Sequence, residues 1–261
     1  FNMVRTRQWL QASLLLFTGL YFLDNMLSGR IYFYINERFG WLSWMSTILF
    51  LTLGIFRITD LLKTRVEHSH EAHEHDIHEH TEHAHAGHTH ASAPSWLKLG
   101  IVSIPLLMGL IVPSKPLGAA AVKTSGLSTQ FSSQGQQTSQ FNVSPADRNV
   151  LDWVRAFNSS SGMNEFTGQP ADLIGFVYRD IRFDGKPQFM IARFAISCCV
   201  ADASALGVIV QTADAAKLTQ DSWVHVKGKF VVQSVDQHDT PVLIAESVEQ
   251  TTQPTHPYLY P

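Results

Sequence analysis

Ten imidazoles crowd into the 23 residues from His68 to His90, at His68, His70, His73, His75, His78, His80, His83, His85, His88 and His90. Their spacing alternates between two and three residues, and Glu67, Glu71, Glu74, Asp76, Glu79 and Glu82 are interspersed. Neutral imidazole is a borderline ligand suited to zinc, copper and nickel, and nearby carboxylates supply extra ligands and the negative field a divalent cation wants. Low complexity and a scarcity of core-forming side chains predict a segment that is disordered without metal. It is therefore expected to offer many interchangeable sites of modest affinity rather than one tetrahedral cage. Zinc leads the candidate ions, with nickel, cobalt and copper compatible with the same ligands. The plainer alternative is a solvated spacer, or a linker that titrates near the ordinary imidazole pKa of about 6.5.

A second cluster is Arg193-Phe194-Ala195-Ile196-Ser197-Cys198-Cys199-Val200-Ala201-Asp202-Ala203. Cys198, Cys199 and Asp202, with Ser197 beside them, have the chemistry of a soft metal site or a redox centre. Against this stands the reading that small cysteines fill a tight corner, since free Cys is among the most buried residue types. Adjacent side chains point to opposite faces of an extended strand, so both thiols reach one ion only where the chain turns. Asp202 equally suits a turn cap, with Arg193 as an ion-pair partner. The two cysteines exclude a framework of several disulfides, and neighbours rarely bridge each other because of strain. His225 and His238 stand alone and read as structural.

These groups must be carried by two unlike halves. Residues 1–112 hold nearly all the long apolar runs, whereas short alternating segments begin near residue 140. Trp9 to Leu23 continues past Asp24 and Asn25 to Leu27, and reaches the span length of about 20 residues if that polar pair sits near an interface or faces a partner helix. Arg5 and Arg7 before it also fit a signal peptide, but no small-residue cleavage site follows. Trp41 to Ile58 has no charge until Arg57 and carries Trp41 and Trp44 like an interfacial belt. Trp96 to Val112 is shorter, with Lys98 near its start and Pro105 inside, and is read as a third span. Arg5, Arg7, Arg57, Lys63, Arg65 and Lys98 on one side outnumber Arg30, Arg38, Lys115 and Lys123 on the other, six to four. This bias predicts an internal N-terminus, a cytoplasmic histidine loop and an extracytoplasmic C-terminal domain.

The expected organisation is a membrane region with two helices at 1–66, the histidine-rich loop at 67–95, a third helix at 96–118, a Ser/Gln/Thr/Gly-rich linker at 119–143 and a soluble β-domain at 144–261. Ser144 with Pro145 predicts an N-cap that opens a helix sharing Val150, Leu151, Val154 and Phe157 on one face. Strands are predicted at 172–178, 188–196, 207–211, 222–233 and 241–248, with turns at Asp184-Gly185 and Gln237-His238-Asp239. Five strands, with the Ala-rich stretch Thr212–Thr219 as a helix between the third and fourth, make an OB-like barrel. The predicted fold class is thus a three-helix membrane region followed by an all-β, OB-like domain with short helices.

A net charge of −3 leaves no basic field, which excludes nucleic acid as a partner. No Cys-x-x-Cys and no evident Ser/His/Asp arrangement exists, so no enzyme is expected. Several segments resemble a bacterial permease-subunit family encoded beside a multi-spanning permease. They are Gly29 with Tyr34-Ile35, Leu110-Ile111-Val112-Pro113 with Leu117, Gly175-Phe176-Val177, Cys198-Cys199-Val200-Ala201-Asp202-Ala203, Trp223-Val224-His225-Val226-Lys227-Gly228 and Pro254-Thr255-His256-Pro257-Tyr258-Leu259-Tyr260. The resemblance implies an accessory subunit of the bacterial inner membrane, whose partners are the permease and divalent ions gathered by the histidine loop. The rival readings are a metal buffer or sensor without transport, and a membrane-tethered thiol oxidoreductase using the two cysteines.

Overall fold

A computed structural model describes residues 3–67, 95–125 and 143–261. The ten histidines from His68 to His90 lie outside these residues. The described chain forms two compact units, one from residues up to Ile31 together with Arg38–Ser114, the other from Tyr32–Glu37 together with Lys115–Pro261.

The first unit is helical: α1 (Met3–Leu27), α2 (Gly40–Glu67) and α3 (Ser95–Ile111). Within it, Arg5–Leu27 and Glu37–Lys63 are long and apolar enough to cross a membrane, and Trp96–Ile111 is a shorter apolar helix. Only 22% and 17% of the two long windows is buried within the molecule, so their apolar faces are not those of soluble core helices and require lipid or another protein. Small residues let α1 and α2 approach closely. A Cβ on Gly54 would stand 3.0 Å from the Leu16 backbone nitrogen, and one on Gly19 would stand 2.8 Å from Leu51. Phe22 stacks on Phe50 beside them. Asn25 is buried and its amide donates to the Tyr21 carbonyl at 2.9 Å. Asp24 pairs with Arg30 just past the helix end, which answers the polar pair from within the chain at the end of α1. Pro105 sits inside α3.

The second unit is a six-stranded sheet with helices α4 (Ala119–Ser125) and α5 (Val150–Ser159). Its strands are β1 (Pro170–Tyr178), β2 (Gln188–Ala195), β3 (Ser204–Gln211), β4 (Trp223–Val235), β5 (His238–Gln250) and β6 (Tyr258–Leu259). Their order is β1-β4-β5-β3-β2-β6, with β1 also paired to β2. β3–β5 and β2–β6 are parallel and the other pairs antiparallel. Five strands were expected; the sixth is the two-residue Tyr258–Leu259, too short for a periodic signal in the sequence.

Close approaches of backbone explain two glycines. A Cβ on Gly175 in β1 would stand 2.7 Å from the Ala192 carbonyl oxygen of β2. At Gly228 it would overlap the Ile244 carbonyl, at the irregularity between Lys227 and Gly228 where β4 bends. The β4–β5 turn is Asp236-Gln237, both left-handed at φ 50 and 67, one residue earlier than the turn expected at Gln237-His238-Asp239. A two-residue loop with positive φ at both positions is the hairpin geometry that matches strand twist.

Helix α5 is capped by Asn149 rather than Ser144. The Asn149 side chain accepts from Leu151 at 2.8 Å and Asp152 at 3.1 Å, and Asp152 accepts from the Asn149 N–H at 3.1 Å. Ser144 instead precedes the 3-10 turn Pro145–Asp147. The reciprocal cap outcompetes the Ser-Pro signal. Trp153 on α5 is fully buried against Phe157, Phe166 and Phe230, and with Val150, Leu151 and Val154 it closes the sheet's main core. The stretch expected to begin a linker at residue 119 is α4, whose Val122 is buried against Phe176, Phe194 and Ile196. The helix expected within Thr212–Thr219 is a single 3-10 turn, Ala215–Lys217.

Candidate functional site: the paired cysteines and their clamp

After β2 the chain leaves the sheet at Ile196 and bends at Ser197 and Cys198 before the 3-10 turn Val200–Asp202. Asp202 shapes that bend. Its two carboxylate oxygens accept the N–H of Ser197 at 2.9 Å and of Cys198 at 2.7 Å. The Cys198 and Cys199 Sγ atoms are brought to 3.6 Å. Thus the turn needed for both thiols to face one point is present. Cys198 is exposed and Cys199 half-buried, and both are free.

Electrostatics separate the roles of the two acidic groups. The Cys198 thiol is pushed up to about 11, first by its hydrogen bond to the Asp202 carboxylate and then by the one to Cys199. For Asp202, burial acts upward but is outweighed by the Cys198 N–H, the Cys198 thiol and the Ser197 and Cys199 N–H groups, so its pKa is lowered. At neutral pH the site is therefore a neutral thiol beside a carboxylate. Such a thiol is a poor nucleophile.

The carbonyl side of the bend is held by a segment more than 160 positions earlier in the chain. Asn36 donates its N–H to the Cys198 carbonyl at 2.9 Å and its side-chain amide to the Ser197 carbonyl at 2.8 Å. Val200 donates to Tyr34 at 2.9 Å, and Ile35 pairs with Cys199 as an isolated antiparallel bridge. Asn36 is 2% exposed. A buried residue that bonds two successive backbone carbonyls, one from its main chain and one from its side chain, is a rigid fastener.

The C-terminal segment supplies the second half of the clamp. The Tyr258 hydroxyl donates to the Phe33 carbonyl at 3.1 Å and accepts from the Leu117 N–H at 2.9 Å. Arg193, expected to pair with Asp202, instead points its buried guanidinium at carbonyls: Pro257 at 2.9 Å, His256 at 3.0 Å and Ile174 at 3.2 Å. Burial draws its pKa down to about 10, still charged at neutral pH. Its plane lies over Trp223, 5.3 Å from the ring centre. Glu37 pairs with His256 across the same clamp.

The remaining candidates do not join this cluster. His225 pairs with Asp172 on the β1–β4 surface, and the His238 ring bonds the Asp236 carbonyl at 2.8 Å. Among the described residues no group of three or more His, Cys, Asp or Glu side chains is arranged to hold a metal ion. Sequence reasoning missed Asn36, and it quoted Tyr258 without giving it a role. Tyr34-Ile35 beside Asn36 and the segment Pro254–Tyr260 around Tyr258 carried the family resemblance, but no local periodicity says that two such distant segments meet.

The comparisons with known proteins cover both units. Residues 10–128 match the DUF1980 N-terminal domain and residues 122–261 the DUF1980 C-terminal domain. A Streptococcus mutans protein provisionally named a two-component membrane permease complex subunit is 25% identical over 90% of this chain and 92% of its own length. The UPF0703 protein YcgQ of Bacillus subtilis is 27% identical over 89% of this chain and 92% of its own. With its helical region, its β-unit and the paired-cysteine turn all inside the matched residues, the chain belongs to the DUF1980 family.

Proposed function

We propose that this protein is the accessory subunit of a bacterial inner-membrane permease for a transition metal, zinc first, and that residues His68–His90 gather the ion. The observation that carries the reading is the full-length likeness to a relative named as a membrane permease complex subunit, joined to a ten-histidine segment. The raised Cys198 thiol argues against a thiol oxidoreductase, and no catalytic residue is assigned.

Three spans are part of the proposal. Tyr32–Glu37, the connection between α1 and α2, belongs to the same unit as the sheet. If α1 and α2 cross the bilayer, that connection and the sheet lie on one side, and α2 carries the chain to the other. Lys115 is again in the sheet's unit, so α3 must bring the chain back. Its 17 residues extend about 26 Å, slightly short of the roughly 30 Å hydrocarbon core. The histidine segment is assigned to the cytoplasm by the charge bias. The sheet is read as an OB-like closed barrel of β1–β5: β1 pairs with both β2 and β4, and β3 with β5. β6 is an addition on β2.

Two measurements test this. Purified from membranes with the permease encoded beside it, the wild type is expected to carry zinc and a deletion of residues 67–90 to lose most of it. Co-purification without any difference in metal content or uptake overturns the gathering role. Loss of tolerance to excess metal with normal uptake would instead identify a buffer. For topology, Ser160→Cys in a cysteine-free background should react with an impermeant maleimide on intact cells and Ser69→Cys should not; equal labelling of both refutes a third crossing.

A further inference from the structure

We propose that Cys198 and Cys199 are a two-thiolate exchange site for a divalent ion of the zinc class, on the C-terminal unit and separate from the histidine segment. This deepens the metal-handling reading and rests on it. The argument is geometric. Two sulfur ligands on a tetrahedral zinc, each at about 2.3 Å, stand about 3.8 Å apart. The two Sγ atoms stand 3.6 Å apart before any ion is present. A two-coordinate linear ion at similar bond lengths would need about 4.6 Å, which is an ångström too wide for this turn and disfavours a linear monovalent ion.

The backbone that carries the two thiols is fixed by the fold. The N–H groups of Ser197 and Cys198 are taken by Asp202 and the carbonyls of the same two residues by Asn36. With all four backbone groups engaged, only rotation about the Cα–Cβ bonds is left to adjust the distance between the thiols. Nor are the thiols packing material, since Cys198 is exposed.

The described residues supply two ligands here. No third His, Cys, Asp or Glu among the described residues completes a metal-holding group, and Asp202 is occupied by the backbone. Structural zinc sites use four protein ligands and catalytic ones three. A two-ligand site leaves half of the coordination sphere to whatever delivers or accepts the ion. That arrangement suits passing an ion on rather than storing it. Binding replaces two S–H bonds with two metal–sulfur bonds and releases two protons to solvent; no electron moves.

The test uses the reduced full-length protein in detergent, titrated with cobalt(II) as a coloured stand-in for zinc. Thiolate-to-cobalt charge transfer reports sulfur ligation alone, so ions on the histidine segment do not contribute. The wild type and the 67–90 deletion are both expected to show the band, saturating at one equivalent in the deletion and bleached by zinc in both. Cys198→Ser and Cys199→Ser should each weaken it at least tenfold, with unchanged circular dichroism excluding misfolding. Absence of the band from the wild type, or its survival in the double variant, overturns the proposal. If the deletion leaves total bound cobalt unchanged while the band persists, the histidine reading fails and this one stands.

Discussion

Asp202 and Asn36 bracket the same two peptide groups, one from the carboxylate side and one from the carbonyl side. Because the folded pKa of Asp202 is lowered, its contribution to stability is complete above the unfolded carboxylate pKa of about 3.9. It is lost as pH falls through the lower folded value. Asp202→Asn is therefore expected to cost about 1 kcal/mol at pH 7, a figure discounted for its exposure. The deficit should shrink as pH falls below the ordinary carboxylate value of about 3.9, read from thermal melts across pH. The same substitution weakens the interaction holding the Cys198 proton, so iodoacetamide should modify Cys198 roughly tenfold faster at pH 8. An unchanged rate would show that Asp202 does not set the thiol's pKa. The chemistry-bearing types at this site were legible in the sequence: two thiols and a carboxylate at fixed spacing. Their partners were not, because Asn36 is an ordinary polar residue whose role exists only once a distant segment reaches it.

At the scale of elements, alternation and capping signals located β1 through β5 well, because each strand buries one or both faces against α5 and its neighbours. Errors fell where competing local chemistry decided the outcome: Asn149 over Ser144, and a turn at Asp236-Gln237. Gln237 at φ 67 sits where glycine is preferred, so Gln237→Gly should stabilise the unit by about 1 kcal/mol in thermal denaturation. Gly228→Ala should do the reverse. Overlap with the Ile244 carbonyl leaves no room for a methyl, and a loss of about 3 kcal/mol is expected. In the helical unit, Gly54→Val would press two methyls into the Leu16 backbone and should lower the melting temperature in detergent, whereas Gly100→Val, with open space around it, should not.

Across the molecule, the sequence divides at about residue 112, whereas the structure's units interleave: a six-residue piece of the first half belongs to the second unit. Composition could not reveal this, since Tyr32–Glu37 is too short to bias any window. The exchange has an energetic signature. Deleting Tyr32–Glu37 should destabilise the sheet unit although no strand is removed, because β2's exit loses Asn36 and Tyr34. A melting temperature unaffected by that deletion would mean that the segment is a passive connection.

The Tyr258 hydroxyl fastens Phe33 to Leu117 from a position 225 residues beyond Phe33. During synthesis the first helical pair can form long before that phenol exists. The latch on Phe33 must therefore wait until 225 further residues have been made. A chain cut upstream of Tyr258 would leave that latch unmade and the connection more open to proteolysis.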